Sequence, residues 1–356
     1  MVPLQGSWHP DHQPPRWGDV VAAAALVAPS LTSLTIRWDG AAVAGVWLLE
    51  AVHLQELALF CGQLTLTDAL GSLAELKELS AESSDGPLTV QSAATLPPSL
   101  TKLYAVECRL AELPEAVSCL PHLESAYLSR NPLLPSSLTR LAGLPRLQLI
   151  SLIGCSFERP PPELSAVTTL RVLYLDYNPF GIESEVPIQA GFSSALAPLM
   201  RLQALGLSHL LLESWPEVLS SLAKLQVLYL ECNPGIARLP AAAAPVLARL
   251  RVLSCDCTVL FSNPGMLRQA ALLEHLYVSG SGLMWHALLT PVEEVLEALA
   301  AMKALQKLTF VSEEVASVEV MQLMLQMGQR CPGLQVEALD SEQFFGVTLE
   351  ALEPVE

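Results

Sequence analysis

The sequence predicts an α/β solenoid of about 13 repeats, curved into a horseshoe, with a concave parallel β-sheet and a helical or irregular convex side. Three observations favour this fold. A leucine block that first appears as LTSLTI at Leu31 recurs at steps of 22 to 32 residues. Within each block, apolar and polar residues alternate at period two, which is typical of a short strand with one buried face. No block can bury its leucines alone, so stacked neighbours must share one core.

The copies cover nearly the whole chain. They begin at Leu31, Leu54, Leu76, Leu100, Leu123, Leu147, Leu170, Leu202, Leu225, Leu250, Leu273, Leu305 and, in degenerate form, Leu334. The pattern resembles the LxxLxLxxNxL motif of the leucine-rich repeat superfamily. Several second halves also carry that family's LPxxLxxL phrase, as in LPEAVSCL from Leu113. The resemblance extends to about Leu339.

The two ends of the chain differ from the repeats. We expect residues 1–30 to form an N-terminal segment with a capping helix over VVAAAALVA, and 31–340 to form the repeat domain. After Ser317, the methionine-rich VEVMQLMLQMGQ predicts a helix, and the tail at 341–356 completes a C-terminal cap. Terminal repeats need such caps because their apolar faces lack a neighbour.

Three repeats are long, at 170–201, 273–304 and 305–333. In the second, Thr290 suits an N-cap, Pro291 the first helical position and Glu293 a capping box, so a helix is predicted there. The first long repeat holds GIESEVPIQAGFSSALAP, which predicts a loop followed by a helical turn. Such insertions either decorate a binding face or are merely tolerated loops.

The asparagine position of the motif predicts the turn after each strand. In the family, this side chain bonds backbone groups of the turn. The residues that we expect to play this structural role are Cys108, Asn131, Cys155, Asn178 and Asn233. Ser84, Thr258 and Ser281 stand in the same column as small polar substitutes, whereas Leu210 departs from the pattern and leaves its turn uncertain.

The outward strand position carries the main functional signal. Five tyrosines fall in this one column, namely Tyr104, Tyr127, Tyr174, Tyr229 and Tyr277, and Tyr177 lies at a strand exit. From Tyr127 to Tyr277 large and small residues alternate, so the rings should recur at roughly 10 Å with shallow gaps between them. Because YLSRNP, YLDYNP and YLECNP recur in every second repeat, part of this alternation is also consistent with duplication of a two-repeat unit.

The next outward column is acidic and includes Asp176, Glu231 and Asp256. Tyrosine rings on a rigid sheet offer large contact area at low entropic cost, and carboxylates steer a basic partner. The sequence therefore predicts a scaffold that binds a protein or peptide, of basic or mixed charge, through an acidic, tyrosine-lined concave face.

Composition narrows the function further. The chain has 19 Lys and Arg against 36 Asp and Glu, a net charge of -17, which argues against nucleic acid and anionic membranes. Its apolar runs fall short of the roughly 20 residues that span a bilayer.

Eight scattered cysteines favour reduced thiols in the cytoplasm, with the nucleus as an alternative. P-loop, GxSxG, HExxH and CxxC motifs are absent, so we predict no enzyme, cofactor or metal site.

Three alternatives stay open. RCPGLQ at Arg330 resembles the cysteine-proline opening of repeats in ubiquitin-ligase substrate receptors of the F-box type, although the helical adaptor-binding module is missing here. His209, Cys232 and Cys257 share one column in successive repeats and could form a metal or thiol site. A small-molecule pocket under the insertion at 180–198 is a third alternative.

Overall fold

The computed structural model describes residues 16–91, 95–180, 188–236, 238–280, 292–311 and 318–339. The chain divides into two compact units. Unit 1 comprises Met1–Phe157 and Pro161–Leu170, and unit 2 comprises Glu158–Pro160 and Arg171–Glu356.

In unit 1, seven strands are found among the described residues. They are β1 Ser33–Ala44, β2 Glu56–Leu66, β3 Glu78–Ser83, β4 Thr89–Val90, β5 Lys102–Ala105, β6 Ser125–Tyr127 and β7 Leu149–Ser151. They pair in parallel in the order β1-β2-β3-β5-β6-β7, and β4 pairs with the far end of β2. Because each strand is followed by a return segment on the other side, neighbouring repeats stack strand beside strand.

The first two strands are longer than the repeat motif requires. β1 and β2 stay paired from Ser33↔Glu56 to Ala44↔Leu66, with a register irregularity between Trp38 and Ala41. Gly62 allows this close pairing, since a Cβ atom there would lie 2.4 Å from the carbonyl oxygen of Asp39.

The return segments of unit 1 are mostly short 3-10 helices. They are Ala28–Ser30, Val46–Glu50, Asp68–Ser72, Glu115–Cys119, Pro135–Leu141 and Pro162–Ala166. Proline often opens them, which fits a first helical turn that has no use for the missing N–H. A single α-helix, α1 (Trp17–Val27), precedes the first strand in the described part of this unit. Its Trp17 ring packs against Trp38 and Trp47, with centroids 6.0 and 6.3 Å away.

In unit 2 the described residues again include seven parallel strands, in the order β8 to β14. They are β8 Val172–Tyr174, β9 Ala204–Gly206, β10 Val227–Tyr229, β11 Val252–Asp256, β12 His275–Ser279, β13 Lys307–Val311 and β14 Gln335–Leu339. The return side holds α2 Ile188–Leu196, α3 Ala244–Leu247, α4 Cys257–Ser262, α5 Pro264–Leu267, α6 Val292–Ala301 and α7 Val318–Arg330, and 3-10 helices at Glu217–Ser221 and Ala241–Ala243.

The repeat leucines form the core. The second and third leucines of each block point to the same side of a strand, and Leu59, Leu173 and Leu228 are fully buried. Each fully buried leucine contributes about 1.5–3 kcal/mol relative to an exposed one. This inward packing gives the open α/β solenoid of parallel strands that the periodicity predicts.

Two described helices fall on segments that the sequence assigns to the ends of the repeat domain, and their capping role stays a prediction. Helix α1 covers the VVAAAALVA segment except for its last residue, Ala28, and α7 matches the methionine-rich segment. Helix α6 begins at Val292, so the proposed caps Thr290 and Pro291 lie outside the described residues. The same holds for residues 181–187, for Ser281 and for the tail from Asp340 onward. Within the part of the chain that the structure describes, no helix is long and apolar enough to cross a bilayer.

The turn after β11 contradicts the sequence alignment. Thr258 was expected to substitute for the turn asparagine, but it lies inside α4, which begins at Cys257 directly after the strand. Asp256 has extended backbone, with φ -69° and ψ 151°, and occupies the N-cap position. The chain therefore enters a helix where the repeats of Asn131, Asn178 and Asn233 make a turn.

Candidate functional site

The tyrosine column lies on the face of the strands opposite the leucine core, which we call the sheet face. In unit 1, Tyr104 pairs in register with Tyr127, and Tyr127 with Ser151. In unit 2, Gly206 lies between Tyr174 and Tyr229, and Ser254 lies between Tyr229 and Tyr277. The order of side chains across each unit is therefore the one read from the aligned leucines.

Tyr104 and Tyr127 form a stacked pair in unit 1. Their ring centroids are 4.4 Å apart and the planes differ by 2°. Both side chains are half-buried, so one edge of the pair remains accessible. The strand pairing of β5 and β6 holds the two rings at the separation that parallel stacking needs.

In unit 2, the rings are closer together and more buried than the sequence predicted. The centroids of Tyr174 and Tyr229 are 6.3 Å apart, not roughly 10 Å, and the planes are tilted by 42°. The reason is Gly206, which has no side chain to keep the rings apart. Tyr174, Tyr229 and Tyr277 are only 5%, 9% and 8% exposed, so there are no open gaps between them. Tyr277 forms a hydrophobic cluster with Val311, and Val252 and Leu339 pack against this cluster.

Tyr177 is the most exposed of the six tyrosines, at 42%. It lies in the turn after β8, with a left-handed φ of 59°. Its ring stacks on His209 of the following turn, with centroids 3.9 Å apart and planes 13° apart. Burial lowers the pKa of His209, which keeps the imidazole neutral at physiological pH and suited to stacking.

The acidic residues of the next column are buried, which corrects the expectation of outward steering charges. Asp176 Oδ1 accepts a hydrogen bond from the backbone N–H of Ser208, 2.8 Å away. Asp256 accepts bonds from the N–H groups of Cys232 (2.8 Å) and Asn233 (3.0 Å). Each carboxyl thus fastens the turn of a neighbouring repeat. None of the ion pairs between described residues involves Asp176, Asp256 or Glu231.

Burial also changes the proton affinity of this cluster. Desolvation and then the charge of Glu231 raise the pKa of Asp176 to about 7, although hydrogen bonds from Ser208 lower it. Desolvation likewise raises the pKa of Glu231 and of Asp256. The pKa of the Tyr229 hydroxyl is raised as well, by burial and then by nearby Tyr277, Glu231 and Asp176. These groups therefore hold protons more tightly than exposed side chains do.

Two asparagine side chains, those of Asn131 and Asn233, connect two turns each. Asn131 Oδ1 accepts from the N–H groups of Cys108 (2.9 Å) and Leu110 (3.0 Å) in the preceding turn. Its Nδ2 donates to the carbonyls of Ala105 (2.7 Å) and Leu128 (2.8 Å). One buried amide thereby satisfies backbone groups of its own repeat and of the repeat before it.

Asn233 likewise bonds two turns in unit 2, and this explains how the turn at Leu210 forms without a polar side chain of its own. Its Oδ1 accepts from the N–H groups of Leu210 (3.2 Å) and Leu212 (3.1 Å), and its Nδ2 donates to Leu207 and Leu230. Leu210 needs no polar side chain because the next repeat supplies one. Asn178 donates to the carbonyl of Leu175 at 2.7 Å.

The thiols of Cys108 and Cys155 donate to a backbone carbonyl, as the asparagine Nδ2 does, but a thiol is a weaker donor. The Cys108 thiol donates to the carbonyl of Ala81 at 3.1 Å, and the Cys155 thiol to that of Leu128 at 3.4 Å. Burial raises the pKa of Cys108 to about 12 and that of Cys155 to about 11. Both sulfurs are therefore protonated hydrogen-bond donors in the core, not nucleophiles.

The three residues of the metal or thiol alternative do not form one site. His209 and Cys232 occupy left-handed turn positions, whereas Cys257 is the first residue of α4 and is buried. Burial raises the pKa of Cys257 to about 12. In the described part of the chain, no group of three or more His, Cys, Asp or Glu side chains is arranged to hold a metal ion.

Comparison with known proteins gives the fold but no family assignment. No protein-family model and no curated protein sequence matches the chain. Among solved structures, the chain is similar to the internalin InlF from Listeria monocytogenes, with 16% identity and a TM-score of 0.50 over 90% of this chain and 92% of that one. It is also similar to TLR13 in its complex with ssRNA13, with 17% identity and a TM-score of 0.56 over 91% of this chain and 48% of that one. Taken with the parallel strands described above, this likeness shows that the chain has the α/β leucine-rich repeat solenoid fold.

Proposed function

We propose that this chain is a non-catalytic scaffold that binds a polypeptide partner through its sheet face. The observation that carries the proposal is the stacked, half-buried pair of Tyr104 and Tyr127 in unit 1. A rigid aromatic pair loses little side-chain entropy on binding and offers both an apolar edge and hydroxyl groups. Such pairs are typical anchors of protein interfaces.

The surroundings of this pair suit a basic side chain. Glu78 and Glu82 are partly exposed on β3, beside β5, and Glu56 is exposed on β2, one strand further away. Lys102 Nζ lies 3.2 Å from Glu78 and neutralises part of this charge. An arginine or lysine of the partner would lay its aliphatic stem along the ring pair and reach a carboxylate with its charged head, in keeping with the net charge of -17.

The sheet face of unit 2 contributes differently in this proposal. Tyr174, Tyr229 and Tyr277 form a packed floor, and Tyr177 with His209 offers an exposed ring stack at the strand exits. The buried carboxyls shape this floor instead of contacting the partner directly.

A reducing compartment fits the same proposal. All eight cysteines are free thiols, and we place the protein in the cytoplasm or the nucleus on that ground. The substrate-recognition role in a ubiquitin ligase would use the same sheet face and stays a prediction.

The test uses crosslinking from defined positions. A photo-crosslinking amino acid replaces Tyr127 in one protein and the exposed Leu134 in a control, and captured proteins are identified by mass spectrometry. We expect a partner that crosslinks from position 127 and not from 134. Its affinity for purified Tyr104→Ala/Tyr127→Ala protein should fall by about 2 kcal/mol or more, as for an interface anchor. Equal affinity for this folded double variant would contradict the proposal.

A further inference from the structure

A second surface follows the points where the strands begin. We call it the leading edge, and it consists of the residues that flank the first leucine of each repeat. In unit 1, a ladder of backbone hydrogen bonds fixes it. Lys77 N–H donates to Gln55, Thr101 to Lys77, and Glu124 to Thr101, each at 2.8 Å. Side chains on this edge therefore project from a rigid row at the strand spacing of about 4.8 Å.

A groove lies along this edge of unit 1, with a cavity volume of about 380 Å³. Lys77, His122 and Arg146 contribute nitrogen donors to its lining, and all three side chains are exposed. Between the bases, Ser99 and Thr101 line the groove, and their hydroxyls donate to the carbonyls of Leu76 and Lys77. The groove thus offers the nitrogen donors of Lys77, His122 and Arg146, while the hydroxyl hydrogens of Ser99 and Thr101 are already used by the backbone.

These three bases have no ion pair with a described acidic residue, and they line the same groove. Elsewhere in the chain, Lys102, Arg140 and Arg251 form ion pairs with glutamates at 2.6–3.2 Å. Glu75 also lines the groove, but its carboxylate lies 3.4 Å from the ring of His53. In a protein with 36 acidic residues against 19 basic ones, a groove in which Lys77, His122 and Arg146 face the single carboxylate of Glu75 favours an anion from outside.

We propose that this groove binds an acidic peptide segment in an extended conformation that crosses the repeats. Lys77 follows the first leucine of its repeat, whereas His122 and Arg146 precede theirs, so the two columns are offset by two residues along the strands. Across the strands, Lys77 and His122 are two spacings apart, or roughly 10 Å, and Arg146 follows one strand later. In a polyproline II chain, every third residue lies on the same side, at a repeat of about 9 Å. Carboxylates at every third position would therefore meet Lys77 and the His122–Arg146 pair in turn. This site differs in place and in charge preference from the tyrosine pair of the sheet face.

The test measures binding of a defined probe by fluorescence anisotropy. The probe is a dye-labelled peptide with glutamate at every third position and proline between, and the same peptide with lysine is the charge control. We expect the glutamate peptide to bind the full chain and the lysine peptide not to bind at the groove. Lys77→Glu/Arg146→Glu should weaken the glutamate peptide by about tenfold at low salt, and added salt should weaken the parent complex too.

A matched variant separates the groove from general charge. Arg159→Glu/Arg238→Glu makes the same change of charge at two exposed arginines outside the groove, and its affinity should equal the parent's. An equal loss in both double variants, or no loss in the groove variant, would overturn the proposal. Tighter binding of a single-stranded RNA than of the peptide would overturn the choice of ligand. Tyr104→Ala/Tyr127→Ala should leave the glutamate peptide's affinity unchanged, so failure here is distinguishable from failure of the sheet-face proposal.

Discussion

Replacing Asn233 with alanine should destabilise unit 2 more than any other single change at a turn position of that unit. The side chain is fully buried and makes four good hydrogen bonds, two accepted from Leu210 and Leu212 and two donated to Leu207 and Leu230. Each hydrogen bond makes a net contribution of about 1 kcal/mol to stability, and burying the backbone groups that lose their partners costs more. We therefore expect a decrease of about 3–5 kcal/mol in the free energy of unfolding.

The matched control is Thr258→Ala, at the same position of the next repeat. Thr258 lies in α4, and its buried hydroxyl has no hydrogen-bond partner, so its removal should change the stability by less than about 0.5 kcal/mol. Urea unfolding measures the global effect. Native-state hydrogen exchange should show faster exchange at the Leu210 and Leu212 amides in the Asn233 variant. A cost below about 1 kcal/mol with both amides still protected would refute the idea that one asparagine serves two turns.

Three further predictions follow from the buried cluster and the thiols. Because the pKa of Asp176 is raised to about 7 in the fold, the folded chain binds this proton more tightly than the unfolded chain, so its contribution to stability falls as the pH rises from about 4 to about 7. Asp176→Asn should reduce the change in unfolding free energy between these pH values by roughly 2–4 kcal/mol, which is seen as a flatter curve of Tm against pH. An unchanged slope would contradict the inference that burial raises the pKa of Asp176. Gly206→Ala should lower the free energy of unfolding by about 1–3 kcal/mol, because the new Cβ would lie 2.1 Å from Asp176 Oδ2 and 2.7 Å from Tyr174 Cδ1. Thermal unfolding measures this loss, and an unchanged Tm would mean that the two side chains move aside at no cost. A thiol reagent should modify exposed Cys119 in the folded protein and buried Cys108 only after unfolding, and early loss of the Cys108 thiol by mass spectrometry would contradict its packing.

The strands and their columns could be predicted from sequence because the side-chain period of a strand is two. Once Leu170 is aligned with Leu202, the register Tyr174↔Gly206 follows without any knowledge of packing. The exposure of each residue does not follow, because it depends on neighbours in other strands. Gly206 lets two rings approach, and this buries Tyr174 although its column faces away from the core.

The leading-edge groove was also missed by sequence reasoning, for a different reason. A net charge of -17 directs attention to acidic groups and hides a local cluster of bases. The available signal was the column just before the first leucine, which holds His122 and Arg146 in successive repeats. Such a column predicts a binding site only when neighbouring side chains form no ion pairs with it, and the sequence alone does not show which side chains are neighbours.

The two-repeat period of the chain has a physical basis in the turns. Asn131 and Asn233, each followed by Pro, also bond the preceding turn, and that turn ends in a left-handed residue, Arg109 or Leu211. The preceding repeat needs no asparagine of its own, so it tolerates Cys108 or Leu210 at that position. A duplicated two-repeat unit would inherit this arrangement, but the hydrogen bonds also give a reason to retain it. Loss of either asparagine leaves two turns without partners, whereas loss of the cysteine thiol removes a single weak bond.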